Sequence, residues 1–192
     1  AYAENPFAMP LGRKVAEEDI CEADVVIYVI SRISGEGKDR RKVKGDYYLS
    51  EREEEDLRYL AEMNKPVILI LNAGGPVELT DILEQTDNIK GILNISQLGQ
   101  EGGDALADVL LGKEVPGGKL TTTWARRYED YPASEEYGYL NGNLEKEKYK
   151  EGIYVGYRYF DSFDKKVMFP FGFGLSYTCL LYTSDAADDL LC

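Results

Sequence analysis

Val25-Val-Ile-Tyr-Val-Ile30 is an unbroken apolar run rich in β-branched residues, and its character decides the fold. A strand with one wet face alternates apolar and polar residues, whereas a continuous run reads as a strand buried on both faces. Working outward, Val67-Ile-Leu-Ile-Leu71 is a second such run, opened by Pro66, and Ile89–Ile95 is a third. Between the first two, Ser50 followed three residues later by Glu53 is a capping box, which predicts a helix running to about Asn64. Between the second and third, Asn72–Pro76 reads as a turn and Val77–Glu84 as a short helical segment. Beyond the third, Glu101–Leu111 reads as a helix stopped by Gly112. Apolar strands alternating with helices imply an α/β fold: a mostly parallel sheet with helices on both faces, a flavodoxin-like α/β sandwich with right-handed crossovers.

The flanks are less regular. Residues 1–20 carry Pro6 and Pro10 and read as a lead-in, with room for a short helix at Ala16–Cys21. Pro116-Gly-Gly118 leads into Lys119–Trp124, which reads as a short strand. Arg126–Lys150 is Tyr-rich, charged and poorly periodic, and reads as a long surface excursion. Gly152–Asp161 and Met168–Thr178 return to aromatic, strand-like sequence. The chain then changes character abruptly at Cys179. Cys179–Asp189 resembles the in-frame translation of a sequencing-library adapter, so 179–192 is expected to be a non-native tail and is set apart from the fold. The competing reading is an amphipathic C-terminal helix. The expected organisation is one α/β domain over 1–178.

Bulk properties bound the function. With 192 residues, 44% of them apolar and 30% charged, the chain has enough material for the core of an ordinary globular domain. Its first residue, Ala1, is not Met, which fits an internal piece of a longer protein. A net charge of −13 disfavours nucleic acid and anionic membrane but does not oppose a neutral sugar. No apolar run approaches the roughly 20 residues a membrane span requires. The chain has no His, so Ser-His-Asp triads, Cys-His dyads and His-ligated zinc are excluded within it. Any proton-transfer group must be a carboxylate, Lys, Tyr or Cys. Cys21, Cys179 and Cys192 show neither metal-ligand spacing nor a disulfide framework, the pattern of a reduced, cytosolic-type chain. No cofactor or metal is expected.

The chemistry-bearing stretch is Ile30-Ser-Arg-Ile-Ser-Gly-Glu-Gly-Lys-Asp-Arg40, directly after the first strand. Ligands of open α/β sheets bind beyond the carboxyl ends of strands. Gly35 and Gly37 flank Glu36, permitting unusual backbone angles and close approach of a ligand. On these residues alone, a solvated Glu in a glycine-rich loop is the commoner reading. A phosphate loop is a weak one, because the full G-x-x-x-x-G-K-[ST] pattern is absent.

Five motifs in order then shift the weight. Ser34-Gly-Glu-Gly37 with Asp39-Arg40 resembles the acid/base loop of family-3 glycoside hydrolases. Gly99-Gln-Glu-Gly-Gly103 with Ala107-Asp-Val-Leu110, then Pro116-Gly-Gly-Lys-Leu120, resemble later motifs of that family. So do Tyr149-Lys-Glu-Gly-Ile-Tyr-Val-Gly-Tyr-Arg-Tyr-Phe160 and Phe169-Pro-Phe-Gly-Phe-Gly-Leu-Ser-Tyr-Thr178. One departure is Leu98, where the family commonly has an aromatic residue before the G-Q-E-G stretch. The resemblance implies a fragment of a retaining β-glycosidase, β-glucosidase by default, acting on a β-glucoside or oligosaccharide. It implies Glu36 as catalytic acid/base, with the nucleophilic Asp on a (β/α)8 barrel elsewhere in the polypeptide. It also implies that 171–178 leads toward a fibronectin-type module, and that the isolated chain is inactive. Two alternatives stay open: a non-catalytic flavodoxin-like binding module, and the same fold with β-xylosidase or β-N-acetylglucosaminidase specificity.

Overall fold

The computed structural model describes residues 13–33, 40–135 and 149–178. The reading of 179–192 as a non-native tail therefore lies outside the described residues, and so does Glu36. The elements follow in the order α1 (Glu17–Ile20), β1 (Val26–Ser31), α2 (Glu51–Glu62), β2 (Val67–Asn72), α3 (Thr80–Gln85), β3 (Ile89–Asn94), α4 (Gly102–Leu110), β4 (Trp124–Ala125), α5 (Tyr157–Ser162) and β5 (Val167–Phe169). A three-residue 3-10 turn at Tyr128–Asp130 follows β4.

The three apolar runs form one parallel sheet in the order β1-β2-β3, the α/β arrangement expected from their unbroken apolar character. Val26 pairs with Val67 and Ser31 with Asn72, so the strands run in step to a common C-terminal edge. The capping box also forms: the Ser50 hydroxyl accepts from the Glu53 N–H, and the Glu53 carboxylate accepts from the Ser50 N–H at 2.7 Å. This pair satisfies two donors that the start of α2 would otherwise leave orphaned. Helix α4 ends where Gly112 takes a φ of 70°, a left-handed conformation that glycine adopts without steric cost.

The core lies on one face of the sheet. Ile30, Val67, Leu69 and Leu71 meet Leu57 and Leu60 of α2 and Ile82 of α3, with Trp124 closing the cluster from β4. The opposite face is unevenly covered. Ile70 in the central strand is fully buried, but Ile27 and Val29 of β1 are 50% and 52% exposed. The apolar run predicts burial of β1 on both faces, and the structure corrects this. The strand sits at the edge of the sheet, and among the described residues only its Val26-Tyr28-Ile30 side joins the core.

The aromatic C-terminal third also differs from expectation. Tyr157–Ser162 is helical rather than strand-like. Gly156, at a φ of 60°, turns the chain into α5, and that helix then buries Phe160 against Tyr131 at a centroid distance of 5.9 Å. A single buried residue per turn suits a short helix lying on the surface, which an aromatic count cannot distinguish from a strand. The strand expected at Lys119–Trp124 shrinks to Trp124–Ala125, paired antiparallel with β5. The described part of the surface excursion is anchored rather than free. Arg127 reaches Asp81 at 2.7 Å, and Arg126 and Lys42 pair with Glu84 and Glu129.

Candidate functional site

The candidate site begins where β1 ends. Ser31 is its last residue, and 34–39, including Glu36, fall outside the described residues. Each of the two stems of that segment is held by an arginine.

Arg32 precedes the segment and is buried, at 6% exposure. A guanidinium carries five N–H donors in a rigid fork, and here all five are used. Nη1 and Nη2 each meet one carboxylate oxygen of Glu53 at 2.7 Å, in a two-pronged pair. Nε donates to the Asp46 carbonyl at 2.7 Å, Nη1 also to the Ser31 carbonyl at 2.8 Å, and Nη2 also to the Tyr48 carbonyl at 3.2 Å. The main chain is held as well, because the Arg32 N–H donates to Asn72 at the end of β2.

Burial alone would push the Glu53 carboxyl up. The Arg32 hydrogen bonds and charge, together with the Ser50 N–H, outweigh it and hold Glu53 below the ordinary glutamate value. Glu53 thus caps α2 and neutralises Arg32 with the same carboxylate.

Arg40 follows the segment. Its Nε meets Asp46 Oδ1 at 2.9 Å, its Nη2 meets the Asp46 carbonyl at 2.5 Å, and its Nη1 meets the Pro76 carbonyl at 2.6 Å. The Arg41 N–H donates to Asp46 Oδ2 at 2.7 Å. Arg32 and Arg40 therefore converge on one carbonyl oxygen, that of Asp46, from opposite sides of the segment. Two guanidiniums this close would repel each other. The carboxylates of Glu53 and Asp46 balance them one for one.

Sequence reading did not single out this arrangement. Glu53 reads as a cap and nothing more, and Asp46 as one of many charges in a loop. One signal was available: Arg32 directly follows an apolar run, and a cation buried there needs a carboxylate. Which carboxylate answers it depends on how the loop folds back.

Beside the clamp lies an aromatic cluster. Tyr47 packs edge-on against Tyr128 at 5.1 Å and against Tyr48 at 5.4 Å, and Tyr128 continues to Tyr131. Burial raises the Tyr47 phenol well above its usual range, so it stays protonated. Burial also raises Glu78, against the Tyr128 N–H and the Arg127 charge. These groups knit the 41–48 loop to the segment before α3 and to the 3-10 turn at Tyr128–Asp130. The Glu78 N–H donates to the Tyr47 carbonyl at 3.0 Å.

The later motifs meet one another away from the clamp. The Leu120 N–H donates to the Phe173 carbonyl and the Gly172 N–H to the Leu120 carbonyl, both at 2.8 Å, so two motifs more than fifty residues apart form one bracket. A Cβ on Gly174 would stand 2.5 Å from the Gly118 carbonyl oxygen, and this close approach requires glycine. No group of three or more metal-ligating side chains exists among the described residues.

The Glycosyl hydrolase family 3 C-terminal domain model matches residues 10–157. Beta-glucosidase A of Butyrivibrio fibrisolvens is 38% identical over 201 residues, covering 88% of this chain and 24% of that protein. The Beta-glucosidase of Ruminococcus albus is 36% identical over 171 residues, covering 88% of this chain and 17% of that protein. Among solved structures, beta-glucosidase 3B from Thermotoga neapolitana in complex with glucose superposes with a TM-score of 0.73 at 48% identity, over 81% of this chain and 22% of that one. The chain thus spans about a quarter or less of the length of the relatives it matches.

Proposed function

Because the chain belongs to glycosyl hydrolase family 3, as its C-terminal domain, we propose that it supplies the proton-transferring carboxyl of a retaining β-glucosidase, and that this carboxyl is Glu36. The observation that carries the reading is positional. The Ser34-Gly-Glu-Gly37 motif leaves the C-terminal end of a parallel strand, the edge at which open α/β sheets take their ligands. Substrate class rests on the relatives, which are named beta-glucosidases.

In this reading a carboxylate from the barrel of the same polypeptide attacks the anomeric carbon as the glycosidic bond breaks. Glu36 gives its proton to the departing oxygen. A glycosyl-enzyme ester and a carboxylate at Glu36 result. Water then attacks the anomeric carbon, Glu36 takes its proton, and the ester bond breaks to release the sugar and restore both groups. Such a pair stands about 5–5.5 Å apart. Glu36 must begin protonated, and a sugar that excludes water, with a negative nucleophile nearby, favours that state.

The test uses the full-length enzyme. Glu36→Ala is expected to slow hydrolysis of glucosides with poor leaving groups by about 10²–10⁴-fold, the usual contribution of general acid catalysis. Activated aryl glucosides should lose less, and azide should restore part of their rate, because it attacks the anomeric carbon of the glycosyl-enzyme without needing a general base, forming a glycosyl azide as the ester bond breaks. Equal losses with good and poor leaving groups, and no response to azide, would remove Glu36 from the role.

A further inference from the structure

The free edge of β1 is an unfinished surface, and what it requires is independent of the acid/base assignment. We propose that this edge and the open face beside it form an intramolecular docking site, filled by a parallel apolar strand that the longer polypeptide contributes from upstream of α1.

The backbone directions show what is left open. The Val26 N–H donates to the Pro66 carbonyl at 2.8 Å, and the Arg32 N–H to the Asn72 carbonyl at 3.0 Å. Alternate residues of a parallel strand turn their main-chain groups to the same neighbour, so the even-numbered residues of β1 serve β2. Ile27 and Val29 turn theirs the other way, where no described strand stands. Their side chains are half exposed as well, and Val25 extends the same open face. Strands that natively end a sheet are guarded by charges, proline or a bulge. Val25–Ser31 holds no charged residue and no proline, and β1 pairs with β2 in unbroken register over all six residues. A groove of about 410 Å³ opens beside Val25–Tyr28, with Val15 and Ile20 among its lining.

Handedness identifies the occupant. Ile20 of α1 packs in the same cluster as Leu57 and Leu60 of α2, so both helices lie on one face of the sheet. Crossovers between parallel strands share one hand. Helix α2 carries the chain from β1 to β2. A helix on that same face that leads into β1 with the same hand brings the chain from the side opposite β2, which is the free edge. A second copy of the chain fits less well. Two-fold symmetry would pair two β1 edges antiparallel, whereas an unbroken apolar run suits a parallel sheet closed on both faces. The two beta-glucosidases compared above have the length to supply the strand, since this chain covers 24% and 17% of them.

The test reads amide hydrogen exchange at single-residue resolution in the full-length enzyme. The Tyr28 and Ile30 amides, bonded to β2, are the internal reference. The Ile27 and Val29 amides are expected to exchange more than about 10³-fold slower than unstructured amides, as the reference pair does. Exchange at Ile27 and Val29 within about tenfold of the unstructured rate, beside a protected reference pair, would overturn the proposal. A second arm identifies what covers the edge. A small diazirine-bearing leucine analogue in place of Ile27 is photolysed in the full-length enzyme, and the cross-linked peptide is mapped. A link to residues upstream of α1 in the same polypeptide is expected. A link to a second molecule, or to residues downstream of β3, would overturn the choice of occupant even where the amides are protected.

Discussion

At the scale of single residues, the defining feature is a pair of arginines balanced by a pair of carboxylates. Arg32 and Glu53 are 6% and 8% exposed, so neither charge has water to fall back on. Breaking such a pair from one side leaves an uncompensated buried charge, which typically costs about 3–5 kcal/mol. Arg32→Met is expected to destabilise by that amount in denaturant titration, and adding Glu53→Leu should recover most of it. The pH dependence follows from the direction of the Glu53 shift. Its folded value lies below its ordinary value of 4.5, so its contribution is complete above 4.5 and is lost as pH falls through the lower folded value. The stability gap between the natural protein and Glu53→Gln should therefore be widest near neutrality and narrow below pH 4.5. A gap that is flat across that range would mean that Glu53 is not held low.

At the scale of elements, brackets between distant segments matter more than the elements themselves. The three parallel strands were legible as apolar runs, and α2 from its cap, because both signals are local. Helix α5 was not. Its Tyr157–Ser162 sequence is dense in aromatics, which favour strands. Its conformation is decided by the Gly156 turn and by the place Phe160 finds against Tyr131, a contact with a segment far away in sequence. The bracket between Leu120 and Gly172–Phe173 offers a direct test. Gly174→Ala would press a methyl group against the Gly118 carbonyl. Overpacking of this kind costs about 1–3 kcal/mol, and thermal unfolding should show it. A neutral substitution would mean that the two motifs do not approach so closely.

At the scale of the whole molecule, the proposed function gives the chain one half of a two-carboxylate chemistry. It spans between 17% and 24% of the two relatives and the solved structure compared above. Purified as the 192-residue chain, it is expected to release no aglycone from aryl β-glucosides, because the nucleophile is assigned to another part of the polypeptide. Turnover above the buffer rate would overturn that division of labour. The net charge of −13 leaves a neutral sugar unopposed while repelling polyanions.

Local chemistry written along the chain determined the parallel α/β sheet, the capped helix after the glycine-rich segment and the family to which the chain belongs. Apolar runs, caps and short motifs are properties of neighbours in sequence. Only the tertiary structure decided that β1 stands at an edge with Ile27 and Val29 open, and that the aromatic segment before Phe160 coils. It alone decided that Asp46 receives both arginines. Each of these depends on which distant groups arrive to cover a surface or to answer a buried charge, and no stretch of sequence specifies its own long-range partner.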